Sequence, residues 1–360
     1  MRRPNRRPTY LKTEDIKNYE IAPDYLIYKD GADTIAVNGS TGKEDSRDTD
    51  ATIPIQYALD NTYFGKIVLK SAAYVIHDTL TMPNPGVELC GQMFSTPPTA
   101  QGLYLADDVN KTMLLVNALK CRVHDLWMYA NKANQTDGYC IETLTHSSLD
   151  LHLSHCYLIH GKDGSLLWTG GAGVADHVYS EYSDGTGFAI RENEGTGNRL
   201  TSCGSYFDDV GFALLGHDNI LNGCTIRTAG TYGLMLEGGG CHGNIVNGLR
   251  IQSVETNGIW VYGGHNNIIT NNLLSGIGNR TNNTYKAIYL STQGGSNHAH
   301  HNIIEGNRIF SIEGNKHQYG IREEDANQDY NIITGNNVTD AVTANISTQG
   351  VNDVVANNIS

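Results

Sequence analysis

The chain is short of proline, of paired cysteines, of long apolar runs and of positive charge. Eight prolines beside 40 glycines fit a chain of many tight turns. Seven cysteines form no C-x-x-C pair, which argues against a full disulfide framework or a zinc ribbon. No segment is apolar enough to span a membrane. The basic start MRRPNRRPTYLK has no apolar stretch behind it, so it does not read as a secretory signal or a twin-arginine one. With 25 basic residues against 38 acidic ones and a net charge of −13, the chain lacks the basic stripe that a nucleic-acid partner requires. Helical periodicity is also missing from most of its length.

What is present is repetition. NILNGCTI begins at Asn219, NIVNGLRI at Asn244, NIITNNLL at Asn267, NIIEGNRI at Asn302, NIITGNNV at Asn331 and DVVANNI at Asp353, with NRLTSCGS at Asn198 a weaker member. A second phrase alternates with it: TGFAIR from Thr186, VGFALL from Val210, YGLMLE from Tyr232, NGIWVY from Asn257 and YGIREE from Tyr319. A fixed period of this length marks a solenoid. Each phrase is a short alternating apolar run bounded by Gly or Asn, which reads as a strand. Short strands with no helix between turns imply an all-β, right-handed parallel β-helix of about ten to twelve coils, stacked ~4.8 Å apart. The leucine-rich frame L-x-x-L-x-L-x-x-N is absent.

Stacking the coils produces columns. The sixth position of the Asn-led phrase reads Cys203, Cys224, Leu249, Asn272, Asn307, Asn336, Asn358: an apolar stack that becomes an asparagine ladder. In the second phrase Phe188, Ile190, Phe212, Leu214, Leu234, Leu236, Ile259 and Val261 face inward. One outward column then reads Glu142, Trp168, Arg191, Leu215, Glu237, Tyr262, Leu290, Glu324, and another includes Met235, Trp260 and Arg322. Aromatic faces that stack on sugar rings, beside charged groups that fix orientation, define a saccharide groove; the alternative is a face covered by a neighbouring subunit.

The lead-in, residues 1–46, holds an Arg-rich start read as a disordered tail, then two short strands around Asp30-Gly31 and a turn at Asn38-Gly39. It is read as an attachment or oligomerisation segment, and residues 47–360 as the β-helix. Asp48 or Asp50 can cap a helix whose Ile53, Ile55, Tyr57, Ala58 and Leu59 cover the open end of the solenoid.

The Asp-rich loop at Asp48, the run ATIPIQYALD, then GKIVL at Gly65, AAY at Ala72, LTMP at Leu80 and VELCG at Val87 resemble the opening of pectate-lyase-superfamily β-helices. This resemblance covers residues 48–92 and implies the fold and a carbohydrate context. Its members include lyases, hydrolases, epimerases, tailspikes and inactive proteins, so it implies no single reaction. The polygalacturonase signature is not met. Asp208-Asp209 and Gly216-His217-Asp218 are present, but the Asn-x-Asp, the second Gly and the Arg-x-Lys are missing. Nor does any motif specify calcium, and no cofactor is expected.

His146, His152, His155 and His160 raise the question of a metal; scattered strand histidines read better as surface or hydrogen-bonded residues, and no metal is assigned. Glu181, Asp184, Asp208 and Asp209 precede groove strands and are placed at one rim, where neighbouring coils can bring two carboxylates into glycosidase range. Late coils carry insertions from Gly276, Ser291 and Ile312 with Arg280, Tyr285, Lys286, His298, His300, His301 and His317. Such groups can neutralise a uronate carboxylate and remove a proton beside it.

These observations lead to a carbohydrate-binding and carbohydrate-cleaving β-helix, a lyase or a glycosidase, acting on an extracellular or cell-surface polysaccharide. Glu237, Arg191, Asp208 and Asp209 are the expected catalytic residues, with Glu237 as acid or base and Arg191 as its charge partner. Trp168, Trp260, Tyr262, Arg322 and Glu324 are the expected substrate-binding residues. The alternative is a non-catalytic structural or adhesive β-helix of a virion spike or cell surface. A homotrimer and an extracellular or virion-associated location are expected.

Overall fold

A computed structural model describes residues 23–92, 102–144, 149–191, 196–281, 283–312 and 316–359. The expected Arg-rich tail, residues 1–8, lies outside the described residues, as does His146.

Three sheets run through the described residues, with 15, 11 and 11 strands. Apart from three antiparallel strands at the N-terminal end of the first sheet, the strands are parallel and each pairs with its equivalent one coil away. The fold is therefore the parallel β-helix of the pectate-lyase type, with about eleven coils. One coil shows how the repeat builds it. Asn244 opens the phrase, Ile245–Asn247 is a strand of the first sheet, and Arg250–Val254 is a strand of the second. Between them Gly248 turns the corner at φ 66°, a left-handed conformation that Gly adopts without steric cost. The second phrase then supplies Ile259–Tyr262, a strand of the third sheet.

Register is held from inside by two asparagine ladders. In the expected one, the Asn307 side-chain oxygen accepts from the Asn272 backbone N–H at 3.0 Å and from its side-chain amide at 2.9 Å, and Asn307 bonds Asn336 in turn. The second ladder uses the first residue of each phrase. Asn219, Asn244, Asn267, Asn302 and Asn331 each hand a backbone N–H to the side chain of the next coil. All of these are buried, and a buried amide must be paired to avoid a desolvation cost. Between the ladders the interior is apolar: the inward-facing residues from Phe188 to Val261 are all buried, and Phe188 stacks on Phe212 at 4.6 Å. All seven cysteines are free and buried, with Cys203 and Cys224 stacked in the interior.

The N-terminal end is closed by β1 (Tyr25–Asp30), β2 (Asp33–Asn38), β3 (Glu44–Asp48) and α1 (Thr52–Asp60). Strands β1 to β3 form an antiparallel meander, and β1 pairs in parallel with β4 (Lys66–Leu69), continuing the first sheet. The boundary expected at residue 46 thus falls inside β3, and residues 25–48 are structurally part of the solenoid's capped end. Asp50 accepts the Thr52 N–H at 2.9 Å at the start of α1, while Asp48 braces Asp50 itself. Ile55, Ala58 and Leu59 are buried under this helix. Ile53 and Tyr57 are not, because they point away from the coil beneath.

Candidate functional site

The third sheet presents its outer face in register. Met235 stands opposite Trp260, Trp260 opposite Tyr289, and Tyr289 opposite Arg322. Along the neighbouring column, Glu237 faces Tyr262 and Tyr262 faces Ser291. At the entering edge, Lys286 faces Tyr319. Coils ~4.8 Å apart make Trp260, Tyr289 and Arg322 a strip about 10 Å long.

The aromatic groups of this strip pack together. Trp260 lies 4.4 Å from Tyr262, 4.7 Å from Tyr232 and 6.4 Å from Tyr289, ring centroid to ring centroid. Its indole N–H donates to Ser291 Oγ at 2.7 Å, which fixes the ring on the sheet. Two cations sit on the strip. Lys286 Nζ is 5.1 Å above the Tyr289 ring, and the Arg322 guanidinium is 4.8 Å above the Tyr319 ring and bonded to Ser347. Burial, and then the neighbouring Arg322, hold Lys286 below the ordinary lysine range. Burial, and then Glu324, push the Tyr289 hydroxyl up to about 12. Glu324 is exposed and accepts the Thr292 N–H, while Glu237 accepts the Gln293 amide at 3.1 Å. The strip therefore combines half-buried ring faces, a fixed positive charge and an amine with a weakened hold on its proton.

Several expected site residues lie elsewhere. Trp168 is in register with Ile190, an inward position, and is fully buried. The column drawn from the sequence was one residue out of phase there, and a one-residue slip moves a strand side chain to the opposite face. Trp168 is a core residue and not a subsite. The same slip affects Leu290, which pairs with buried Glu323. Glu142 belongs to the Trp260 column, where it accepts the Thr112 hydroxyl.

Asp208 is not on the rim. It is 1 % exposed, and its carboxylate accepts the Ser180 and Ser205 hydroxyls at 2.7 and 2.6 Å and the Ser183 N–H at 2.8 Å. Burial outweighs these bonds and pushes its carboxyl up to about 6. Asp209 is half-buried near Thr231 and Glu255, and burial raises it too. Asp184 is paired with Lys132 and Lys162 at 2.7 and 2.8 Å. Arg191 is exposed and lies near Tyr139, whose hydroxyl its charge favours in the ionised form. It sits two coils from Glu237, about 10 Å by strand spacing, so the two are not direct partners.

Sequence reasoning named Trp260, Tyr262, Arg322 and Glu324, which this face brings together. It missed Tyr232 and Tyr289 as partners and left Lys286 in a loop. Aligning KAIYLS with NGIWVY in phase would have set Tyr289 beside Trp260. A second aromatic ladder was also missed: Trp127, Tyr157, Tyr179 and Tyr206 stack across the second sheet at 4.5, 5.0 and 6.2 Å. Among the described residues, two groups bring three ligand atoms within 4.8 Å, namely Glu88, Cys90 and His124, and His217, Asp218 and His242. Of the four histidines considered from the sequence, His152 pairs with Asp150, His155 stacks on His177, and His160 stacks against Tyr129 and Tyr182.

Residues 123–279 match the NosD family, described as periplasmic copper-binding protein. No curated protein matches the chain. Among solved structures, the chain is similar to the A-module of the Azotobacter vinelandii mannuronan C-5 epimerase AlgE6, with a TM-score of 0.64, 15% identity, and coverage of 85% of this chain and 94% of that one. It is also similar to the enzymatically active domain of bacteriophage CBA120 tailspike protein 2, with a TM-score of 0.63 at 12% identity over 82% of this chain and 48% of that one. The catalytic domain of a GH87 alpha-1,3-glucanase gives a TM-score of 0.57 at 14% identity, covering 84% of this chain and 67% of that one. At these identities the likeness is one of fold.

Proposed function

We propose that this chain binds an acidic polysaccharide along the outer face of the third sheet and performs proton-transfer chemistry beside a uronate carboxylate. The observation that carries the reading is the Trp260, Tyr289, Lys286 and Arg322 strip. Its rings match sugar faces, its guanidinium suits a carboxylate, and its amine has a weakened hold on its proton. In a lyase step, Lys286 removes the proton from the carbon beside the carboxylate. The released electron pair forms a carbon–carbon double bond, and the linking oxygen leaves with a proton donated by Tyr289. A hydroxyl raised to about 12 stays protonated and can serve as that donor. Returning a proton to the opposite face of the carbon would make the same site an epimerase. Arg322 stabilises the negative charge that develops on the carboxylate.

This reading is supported over hydrolysis by the carboxylates. Glu237 and Glu324 are three coils apart, about 14 Å by strand spacing, beyond the range of a glycosidase pair. Asp208 is held by serines in the interior. The AlgE6 module, named as an epimerase, and the tailspike domain, named as enzymatically active, support a carbohydrate-acting protein on the extracellular side. A second reading, the structural or adhesive β-helix, rests on the aromatic ladder of the second sheet, which a homotrimer would cover.

The test is incubation with neutral and uronate polysaccharides, following reducing ends together with the ultraviolet absorbance of unsaturated uronates and the ratio of uronate epimers by NMR. Absorbance or an epimer change on uronates alone is the expected result. Reducing ends without absorbance would mean a hydrolase. Silence in all three, with a trimer by sedimentation, would favour the structural reading.

A further inference from the structure

A corner of the solenoid downstream of the third sheet carries a ladder of imidazoles that the proposed groove does not use. His217, His242, His265 and His300 occupy successive coils. Each precedes a residue in the left-handed conformation: Asp218 at φ 57°, Gly243 at 66°, Asn266 at 54° and His301 at 55°. The Asp218 N–H donates to the His242 carbonyl, and the Asn266 N–H to that of His300, so the backbone keeps the rings in phase. They stack at 4.8, 5.2 and 5.1 Å, nearly parallel. The first pair has a carboxylate beside it: Asp218 Oδ2 lies 2.9 Å from His217 Nδ1. One ligand atom from each of His217, Asp218 and His242 falls within a 4.8 Å span. Further along, His265 is held by the Gly239 carbonyl and by Asn266, and His300 by His301.

We propose that His217, Asp218 and His242 bind one divalent transition-metal ion of the imidazole-preferring kind, tying two successive coils together. Two imidazoles and a carboxylate form a donor set that suits Zn2+, Cu2+ or Ni2+ better than Ca2+ or Mg2+. Ligand bonds of about 2.0–2.2 Å require the donor atoms to stand no more than ~4.3 Å apart. Binding requires the two nearly parallel rings to turn so that their in-plane nitrogen lone pairs converge, as well as to close by a few tenths of an ångström. The Asp218 and His217 side chains, 64% and 38% exposed, have room for that rotation. Remaining positions are open to water, and the net charge of −13 favours a cation. The other group is less suited. Lys66 already sits 2.6 Å from Glu88, and His124, raised to about 9 chiefly by its hydrogen bond to Cys90, keeps its proton.

The test is titration of metal-free protein with Cu2+, the first-row divalent ion that N and O ligands hold most tightly, read by equilibrium dialysis and electron paramagnetic resonance. One tight equivalent with hyperfine coupling to two nitrogens is expected. His217→Ala and His242→Ala should each weaken it tenfold or more, and Asp218→Asn should weaken it less. His155→Ala/His177→Ala, which removes a stacked pair at 5.4 Å, and His300→Ala/His301→Ala should leave it intact. Unfolding of each variant in chelator, compared with wild type, separates misfolding from ligand loss; His217→Gln replaces His217→Ala if the latter fails to fold. Unchanged binding in both single-histidine variants, or loss in the His300/His301 variant instead, would overturn the proposal.

Discussion

Trp260 and Tyr262 lie two residues apart on one strand with their rings 4.4 Å apart, and Trp260 is locked to Ser291 of the next coil. The pair forms a rigid, half-buried platform on the outer face. Trp260→Ala should weaken saccharide binding about tenfold, ~1.4 kcal/mol, with little effect on folding because the ring is outside the core. Calorimetric titration with oligouronates checks this. Trp168→Ala should behave oppositely: its buried ring should cost about 3–5 kcal/mol of stability.

Lys286 supplies a pH signature. As the base it acts when neutral, so kcat should rise with pH through its pKa, on a limb below the ordinary lysine value because burial and Arg322 hold it down. Arg322→Gln removes one of those causes, so the limb should move to higher pH at saturating substrate. Lys286→Met should abolish turnover while binding persists. A pH profile of kcat for the three proteins decides it.

Asp208 supplies a second pH signature, in stability. Its folded carboxyl is raised to about 6, above an unfolded value near 3.8, so the folded state binds the proton more tightly. Stability from this group is fully present below about pH 4 and is lost as pH rises through about 6. The shift corresponds to about 3 kcal/mol at most. Asp208→Asn, which is neutral throughout, should show a smaller fall in urea midpoint between pH 4 and 7 than wild type. An equal fall would assign the pH dependence to other groups.

The asparagine ladder should be costly to cut. Asn307→Ala leaves two Asn272 donors and the Ile269 carbonyl without their partner in the interior, an expected loss of about 2–5 kcal/mol. Asn222→Ala, which removes an exposed link to Asn247, should change stability by less than about 1 kcal/mol. Urea denaturation of both variants makes the comparison.

The solenoid was legible because its physics is periodic. Asn272, Asn307, Asn336 and Asn358 repeat in one column, and the same column is the ladder in the structure. The site was less legible, for two physical reasons. A strand alternates its faces every residue, so a one-residue phase error put Trp168 and Leu290 on the wrong side of the sheet. Charge also says little about burial when small donors are near. Asp208 read as a rim carboxylate, yet Ser180 and Ser183 of the preceding coil and Ser205 of its own converge on it. Tyr289 stands in the Trp260 column, Tyr232 and Lys286 stand two coils apart in another, and their side chains surround Trp260 only once the coils are stacked.

The most direct test of the account is the affinity of Arg322→Gln for an oligouronate and for a neutral oligosaccharide of equal length, beside wild type. Wild type should prefer the oligouronate. Arg322→Gln should lose that preference by tenfold or more, from the charge-assisted bond of about 1.5–3 kcal/mol, while binding of the neutral sugar stays unchanged. Equal affinity of wild type for both sugars, or an undiminished preference in Arg322→Gln, would contradict it.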